Sequence, residues 1–260
     1  MKPIYYETYG QGPPLLLIHG YMLSGEMYHP LLDFWKQKFQ LIVPDLRGYG
    51  KSIDLPGPYT VQQSVQDVLQ IMDSLNLQQF FVLGYSKGGL IAQQLAAHYP
   101  QRIKALVLAC TFSYKPLSVG ERLQKRFITN ALNNISAPTM VKLMNKELAG
   151  ALGKIDPQTL RWYKKMIIHN RRDVLLIGAH EIFKFDSRQR LGNIKIPTLV
   201  IGAAEDIVVP IHHTHLLARL IPGAKVKIFS NAGHAVIHTH SHLLAEAVSN
   251  FFISHLTPSS

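Results

Sequence analysis

The stretch Phe80 to Ala97 leaves this chain few ways to fold. Phe80-Phe81-Val82-Leu83 is a short apolar run that reads as a buried strand. Leu90-Ile91-Ala92-Gln93-Gln94-Leu95-Ala96-Ala97 reads as a helix with small residues on one side. Between them lies Gly84-Tyr85-Ser86-Lys87-Gly88-Gly89. A serine at the bend from such a strand into such a helix takes a strained backbone conformation, and its neighbours two before and two after must be small for the turn to close. Both are glycine here. The bend lifts the Ser86 hydroxyl off the sheet edge and sets it beside the positive end of a helix dipole.

The rest of the chain supplies a sheet for that bend. Ile4 to Tyr9 alternates tyrosine with polar residues and reads as an edge strand. Leu15-Leu16-Leu17-Ile18 and Leu41-Ile42-Val43 are unbroken apolar runs, as expected of strands buried on both faces of a parallel sheet. From Thr60, a plausible N-cap, apolar residues recur at helical spacing through Leu75. A strand-like run ends at Cys110. Strands alternating with helices in this way predict an α/β fold with a mostly parallel sheet. The alternation stops at residue 113 and resumes at Pro197-Thr198-Leu199-Val200-Ile201. The segment between shows helical periodicity and no convincing strand. The expected organisation is a core domain of residues 1–112 and 191–260, flanked helices around a sheet, with an inserted helical cap over 113–190.

A serine hydroxyl is a poor nucleophile at neutral pH and needs a base, itself oriented by a third group. In an open parallel sheet these come from loops at the carboxyl ends of strands. Two loops downstream of Ser86 qualify. One, after Leu199-Val200-Ile201, holds Glu205 and Asp206; the other, after Val226 to Phe229, is Ser230-Asn231-Ala232-Gly233-His234. His234 stands out among thirteen histidines because a Gly-bearing turn directly after the last strand can aim its imidazole at Ser86.

The order Ser86, Asp206, His234 is that of the α/β-hydrolases, and Gly84 to Gly88 resembles their nucleophile elbow. Asp45-Leu46-Arg47-Gly48-Tyr49-Gly50-Lys51-Ser52 resembles a structural loop, and Phe185-Asp186-Ser187-Arg188 a re-entry from the cap, in the capped bacterial esterase, enol-lactonase and C–C hydrolase group. The resemblance covers almost the whole chain. It implies Asp206 rather than Glu205 as the acid, from its spacing ahead of Val209-Pro210. It implies that His19-Gly20-Tyr21 is an oxyanion turn, with backbone donors at Tyr21 and Lys87, and that no cofactor is needed. The expected activity is serine hydrolysis of a carboxylic ester or thioester with an apolar acyl part. Cleavage of a carbon–carbon bond in a ring-fission product, and a non-turnover ligand sensor of the same fold, are the alternatives. His19, Phe127, Trp162 and Met166 are candidates for the substrate pocket. Lys87 stands where Met, Leu or Gln is expected; its side chain either meets an anionic substrate or points outward to an acidic partner.

The net charge of +11 is concentrated: Ser113 to Arg190 carries fifteen Lys and Arg against six Asp and Glu. Arg122, Lys125 and Arg126 lie within one helical turn, as do Arg161, Lys164 and Lys165. A solvated helix face explains such runs, yet charge of one sign around a site entrance also steers anions. Three anionic partners fit: an acyl chain on an acidic carrier protein, an acyl-coenzyme A or an anionic membrane surface. The carrier is favoured, since pimeloyl-carrier methyl-ester esterases belong to the group that this chain resembles. No nucleic-acid motif accompanies the charge. His212-His213-x-His215 and His238-x-His240-x-His242 have no carboxylate or cysteine at ligand spacing, so no metal is expected. A single cysteine, Cys110, excludes an internal disulfide. No apolar run approaches the about 20 residues that span a bilayer. No secretory signal opens the sequence, and the expected location is cytoplasmic.

Overall fold

The computed structural model describes residues 2–115, 118–134, 139, 150 and 152–256, without side chains for six residues of 119–134, Lys125 and Phe127 among them. In chain order the elements are β1 (Tyr6–Tyr9), β2 (Pro14–Ile18), α1 (His29–Trp35), β3 (Gln40–Pro44), α2 (Val61–Ser74), β4 (Phe80–Tyr85), α3 (Lys87–His98) and β5 (Ile103–Ala109). Then follow α4 (Val119–Asn134), α5 (Pro157–Ile168), α6 (Arg172–Lys184), α7 (Arg188–Leu191), β6 (Thr198–Ala203), α8 (His212–Leu220), β7 (Lys225–Phe229), α9 (Val236–Thr239) and α10 (Ser241–Ile253).

The unbroken apolar runs become inner strands because a strand sends successive side chains to opposite faces. Leu16 and Ile18 of β2, with Phe80 and Val82 of β4, pack on one side against Val68 and Met72 of α2 and Leu90, Ile91 and Leu95 of α3. Leu15, Leu17, Phe81 and Leu83 pack on the other, against Leu31 and Leu32 of α1 and Phe252 of α10. Each such side chain, fully buried, contributes about 1.5–3 kcal/mol relative to exposure. The resulting sheet has the order β1-β3-β2-β4-β5-β6-β7. All pairings are parallel except that of β1 with β3 at one edge. Thr60 caps α2 as its position predicts, accepting from the Gln63 N–H at 3.1 Å.

The loop after β3 is held from within. The Asp45 carboxylate accepts the N–H groups of Gly25 and Lys51, each at 2.7 Å. Arg47 forks onto Asp67 of α2, with Nε 2.9 Å from one carboxylate oxygen and Nη2 2.7 Å from the other. Both side chains are 1% exposed. Removing one partner of such a pair strands a buried charge, so Asp67→Ala should cost about 3–5 kcal/mol of stability. Its urea midpoint should drop accordingly, while Asp173→Ala, which removes half of an exposed pair, should leave the midpoint nearly unmoved.

Four described helices, α4 to α7, lie between β5 and β6, which are neighbours in the sheet. The two ends of that insertion are pinned together. Tyr114 bridges Asp186, the Ser187 N–H donates to Ser113 O at 2.9 Å, and the Ser187 hydroxyl reaches Gln93 of α3 at 2.7 Å. Further bonds tie the inserted helices to the core. The Tyr21 hydroxyl donates to Leu175 O of α6 (2.5 Å), the Asn170 amide to Met22 O (3.0 Å), and the Val61 N–H to the Glu181 carboxylate (3.0 Å).

Candidate active site

Ser86 occupies the turn between β4 and α3 with φ 52° and ψ −118°. Its N–H donates to Ala109 O of β5 at 2.9 Å, and its carbonyl accepts the Thr111 hydroxyl at 2.7 Å. The two flanking glycines are there for close approach. A Cβ on Gly84 would lie 2.5 Å from Gly88 O, and one on Gly88 would lie 2.1 Å from Ile18 O. Any side chain at either position would force the turn open and drop the serine.

The loops after β6 and β7 bring Asp206 and His234 to it. Asp206 is 4% exposed. One of its oxygens accepts the N–H groups of Val208 and Val209, both at 2.8 Å, and the other meets His234 Nδ1 at 2.7 Å. A carboxylate only accepts, so Nδ1 carries the ring proton. Nε2 is thereby an acceptor, and it lies 3.2 Å from Ser86 Oγ. The neighbouring Glu205 is exposed and makes no such approach. The acid loop is braced from the entry to the inserted helices, where the buried Lys115 ammonium donates to Val208 O at 2.6 Å.

Lys87 is the first residue of α3, so its N–H has no partner within the helix. Among the described residues neither that N–H nor that of Tyr21 donates to a protein acceptor. Gly20 brings the Tyr21 turn against the serine: a Cβ there would lie 3.3 Å from Ser86 Cβ. The arrangement presents two free donors beside a hydroxyl that can be deprotonated by an adjacent imidazole. Chemically, it can run acyl transfer.

Two side chains differ from the sequence-based expectation. His19 was expected in the pocket wall, but it is fully buried beneath the turn. Its Nε2 accepts the Leu46 N–H at 2.9 Å, which leaves Nδ1–H to donate to Gly20 O at 2.8 Å. Burial, aided by the Lys87 charge, takes its pKa down to about 3 and keeps it neutral. It supports the turn's backbone and does not line a pocket. Lys87 was expected either to contact substrate or to point outward to an acidic residue. It is instead buried, with Nζ on the Tyr49 hydroxyl.

Of the other expected pocket residues, Met166 lies at the turn, its sulfur 3.6 Å from the Ser24 hydroxyl. Trp162 stacks toward His238 with ring centres 5.2 Å apart. The Phe127 side chain lies outside the described residues, as does that of Lys125. Arg122 and Arg126 are exposed on α4.

Sequence spacing missed what long-range packing brings together. The Cys110 thiol shares a cluster with Asp206 and His234, and burial pushes its pKa well up. Glu121 of α4 reaches the histidine pair 91 and 92 positions away: its carboxylate is 2.5 Å from His213 Nε2 and 3.7 Å from His212 Nε2. Those three groups have metal-ligand chemistry, but the 2.5 Å contact is that of a hydrogen bond, and the charge of buried Lys115 also acts on His213. The cluster reads as a junction between the inserted helices and the core. No local signal could have found it, since it depends on α4 packing beside α8.

A parallel sheet with this serine turn, and an acid and a histidine after its next strands, defines a class. The family described as the alpha/beta hydrolase fold matches residues 13–241, and the chain belongs to it. A relative is the pimeloyl-[acyl-carrier protein] methyl ester esterase of Chromobacterium violaceum, 29% identical over 246 residues that cover 91% of this chain and 93% of that one. Among solved structures, a hydrolase from Pseudomonas aeruginosa PA01 superposes with a TM-score of 0.85 at 28% identity, covering 95% of this chain and 93% of its own. A thermophilic esterase from Thermogutta terrifontis gives 0.86 at 25% identity, covering 98% and 94%. Among the described residues no helix is long and apolar enough to cross a membrane.

Proposed function

We propose that the chain is a serine esterase in which Ser86 is the nucleophile, His234 the general base and acid, and Asp206 the group that orients the imidazole. The observation that carries this reading is the continuous hydrogen-bonded path from Asp206 through His234 to Ser86 on a strained turn. His234 Nε2 takes the Ser86 proton as Oγ attacks the ester carbonyl carbon. The carbonyl oxygen becomes an oxyanion facing the backbone N–H groups of Tyr21 and Lys87. Loss of one such donor typically costs about 2.7–4 kcal/mol of transition-state stabilisation. Collapse expels the alcohol, which receives the proton from His234. Water, deprotonated by the same imidazole, then releases the acid and restores Ser86. The helices between β5 and β6 act as a cap, and Trp162 and Met166 are its candidates for contact with the acyl group. Turnover of a p-nitrophenyl ester series with a chain-length optimum is the test; labelling without turnover of any ester would point to a sensor instead.

The substrate class that fits best is an acyl ester on an acidic carrier. Two things support it: the relative that acts, by its name, on a carrier-bound methyl ester, and the exposed Arg122 and Arg126 on α4. Charge at such a rim governs encounter more than chemistry. Changing Arg122, Lys125 and Arg126 to Glu should lower kcat/KM for a carrier-bound ester by more than about tenfold. A small neutral ester should be nearly unaffected, and the wild-type rate on the carrier should fall with salt. Equal losses on both substrates would indicate a damaged cap, and no loss on either would leave the charge without a docking role.

A further inference from the structure

Lys87 is 2% exposed. Among the described residues its ammonium makes one hydrogen bond, 3.2 Å to the Tyr49 hydroxyl. Ring faces supply much of what else surrounds it: Nζ lies 4.8 Å from the centre of Tyr49 and 6.0 Å from that of Tyr21. Among the described residues no carboxylate stands within ion-pair distance of it. An ammonium has three donors, and a buried charge ordinarily needs a counter-ion. This one has a single bond and two aromatic faces, a weaker compensation.

The groups around it leave its charge standing. Tyr49 and Tyr21 are held neutral by burial, which raises both hydroxyls. His19, under the turn, is neutral with a pKa of about 3, and the Lys87 charge contributes to that depression. Among the described residues Glu181 of α6 is the one acidic group whose charge acts on Lys87, and its carboxylate is engaged by the Val61 N–H. The backbone of α6 closes the space above: a Cβ on Gly178 would lie 2.7 Å from both Tyr21 Cε2 and the Tyr49 hydroxyl. Burial lowers the Lys87 pKa to about 8, so the amine is charged at neutral pH and loses its proton as pH rises through about 8.

We infer that the Lys87 ammonium is an electrostatic partner of the oxyanion hole, a fixed charge behind the Tyr21 turn whose counter-ion forms only when the ester oxygen becomes an oxyanion. The inference rests on the serine-esterase reading. Lys87 and Tyr21 are the two residues whose N–H groups face that oxygen, and the lysine side chain runs to the tyrosine ring. A neutral ester carbonyl gains little from the charge, whereas an oxyanion in a water-poor site gains much more. The benefit therefore falls on kcat rather than on KM. The Lys87 side chain acts here through its field, without touching the substrate that the backbone N–H of the same residue meets.

Lys87→Met keeps length and packing and removes the charge. Steady-state kinetics on a neutral p-nitrophenyl ester across pH 6–10, roughly two units either side of that pKa, and the inhibition constant of an arylboronic acid, which forms a tetrahedral anion on Ser86, give the readouts. In the wild type, kcat should fall through an alkaline limb near pH 8, set by the amine that titrates at about 8. In Lys87→Met that limb should vanish. At neutral pH its kcat should be about tenfold lower with KM unchanged, and boronate binding should weaken by a similar factor, the size expected of losing one buried charge whose field reaches the site. Tyr49→Phe, which removes the acceptor of the Lys87 ammonium, should move the limb to lower pH. A wild type without the limb, a Lys87→Met enzyme that keeps it, or an unmoved limb in Tyr49→Phe would overturn the inference. Failure of the esterase reading looks different: the wild type would neither turn over the ester nor be labelled by a fluorophosphonate.

Discussion

Ser86→Ala is expected to abolish covalent labelling by a fluorophosphonate and to lower kcat by about 10^4-fold or more, as removal of a nucleophile does in serine hydrolases. The substitution is well suited to the question because alanine keeps the Cβ. The φ of 52° is as strained for alanine as for serine, and the backbone bonds of residue 86 to Ala109 and Thr111 do not involve the hydroxyl. The thermal midpoint should therefore stay close to that of the wild type. Loss of activity can then be read as lost chemistry. A labelled Ser86→Ala protein would place the nucleophile elsewhere.

Asp206→Asn should cost about 10^4 in kcat, roughly 5 kcal/mol of activation free energy. The surroundings of the residue dictate the reason. The oxygen now held by the Val208 and Val209 N–H groups, each at 2.8 Å, must remain an acceptor. The asparagine amide then has one orientation, with its NH2 group toward His234 Nδ1. That nitrogen would have to accept, so the ring proton would move to Nε2, 3.2 Å from Ser86 Oγ. An imidazole protonated there cannot take the serine proton. Glu205→Gln, at an exposed position, should leave kcat nearly unchanged. If it is the worse lesion, the acid is Glu205.

Sequence legibility was greatest where physical constraints are local. A Gly-x-Ser-x-Gly bend between an apolar run and a small-residue helix has one steric solution, and the 2.1 Å and 2.5 Å approaches at Gly88 and Gly84 show why those two positions take no side chain. Unbroken apolar runs such as Leu15 to Ile18 declare strands buried on both faces. The α/β class and the interruption of its alternation between β5 and β6 follow from period alone. So does the candidate order of serine, acid and histidine, because strand ends in a parallel sheet converge on one edge.

Side-chain destinations were decided only in three dimensions. Nothing near Lys87 in the chain announces that Tyr49, 38 positions away, will take its ammonium. Nor does anything near His19 announce the Leu46 N–H that makes it a support for the turn. Glu121 meets His213 across 92 positions, and the buried thiol of Cys110 comes to rest beside Asp206. Backbone conformation and strand burial depend on a residue and its near neighbours, so the sheet, the bend and the candidate hydroxyl, acid and imidazole could be read from the chain alone. Electrostatic environment depends on which distant groups share a low-dielectric space, and that was set by the packing of the helices between β5 and β6, the Tyr21 turn and the loop after β3 against one another.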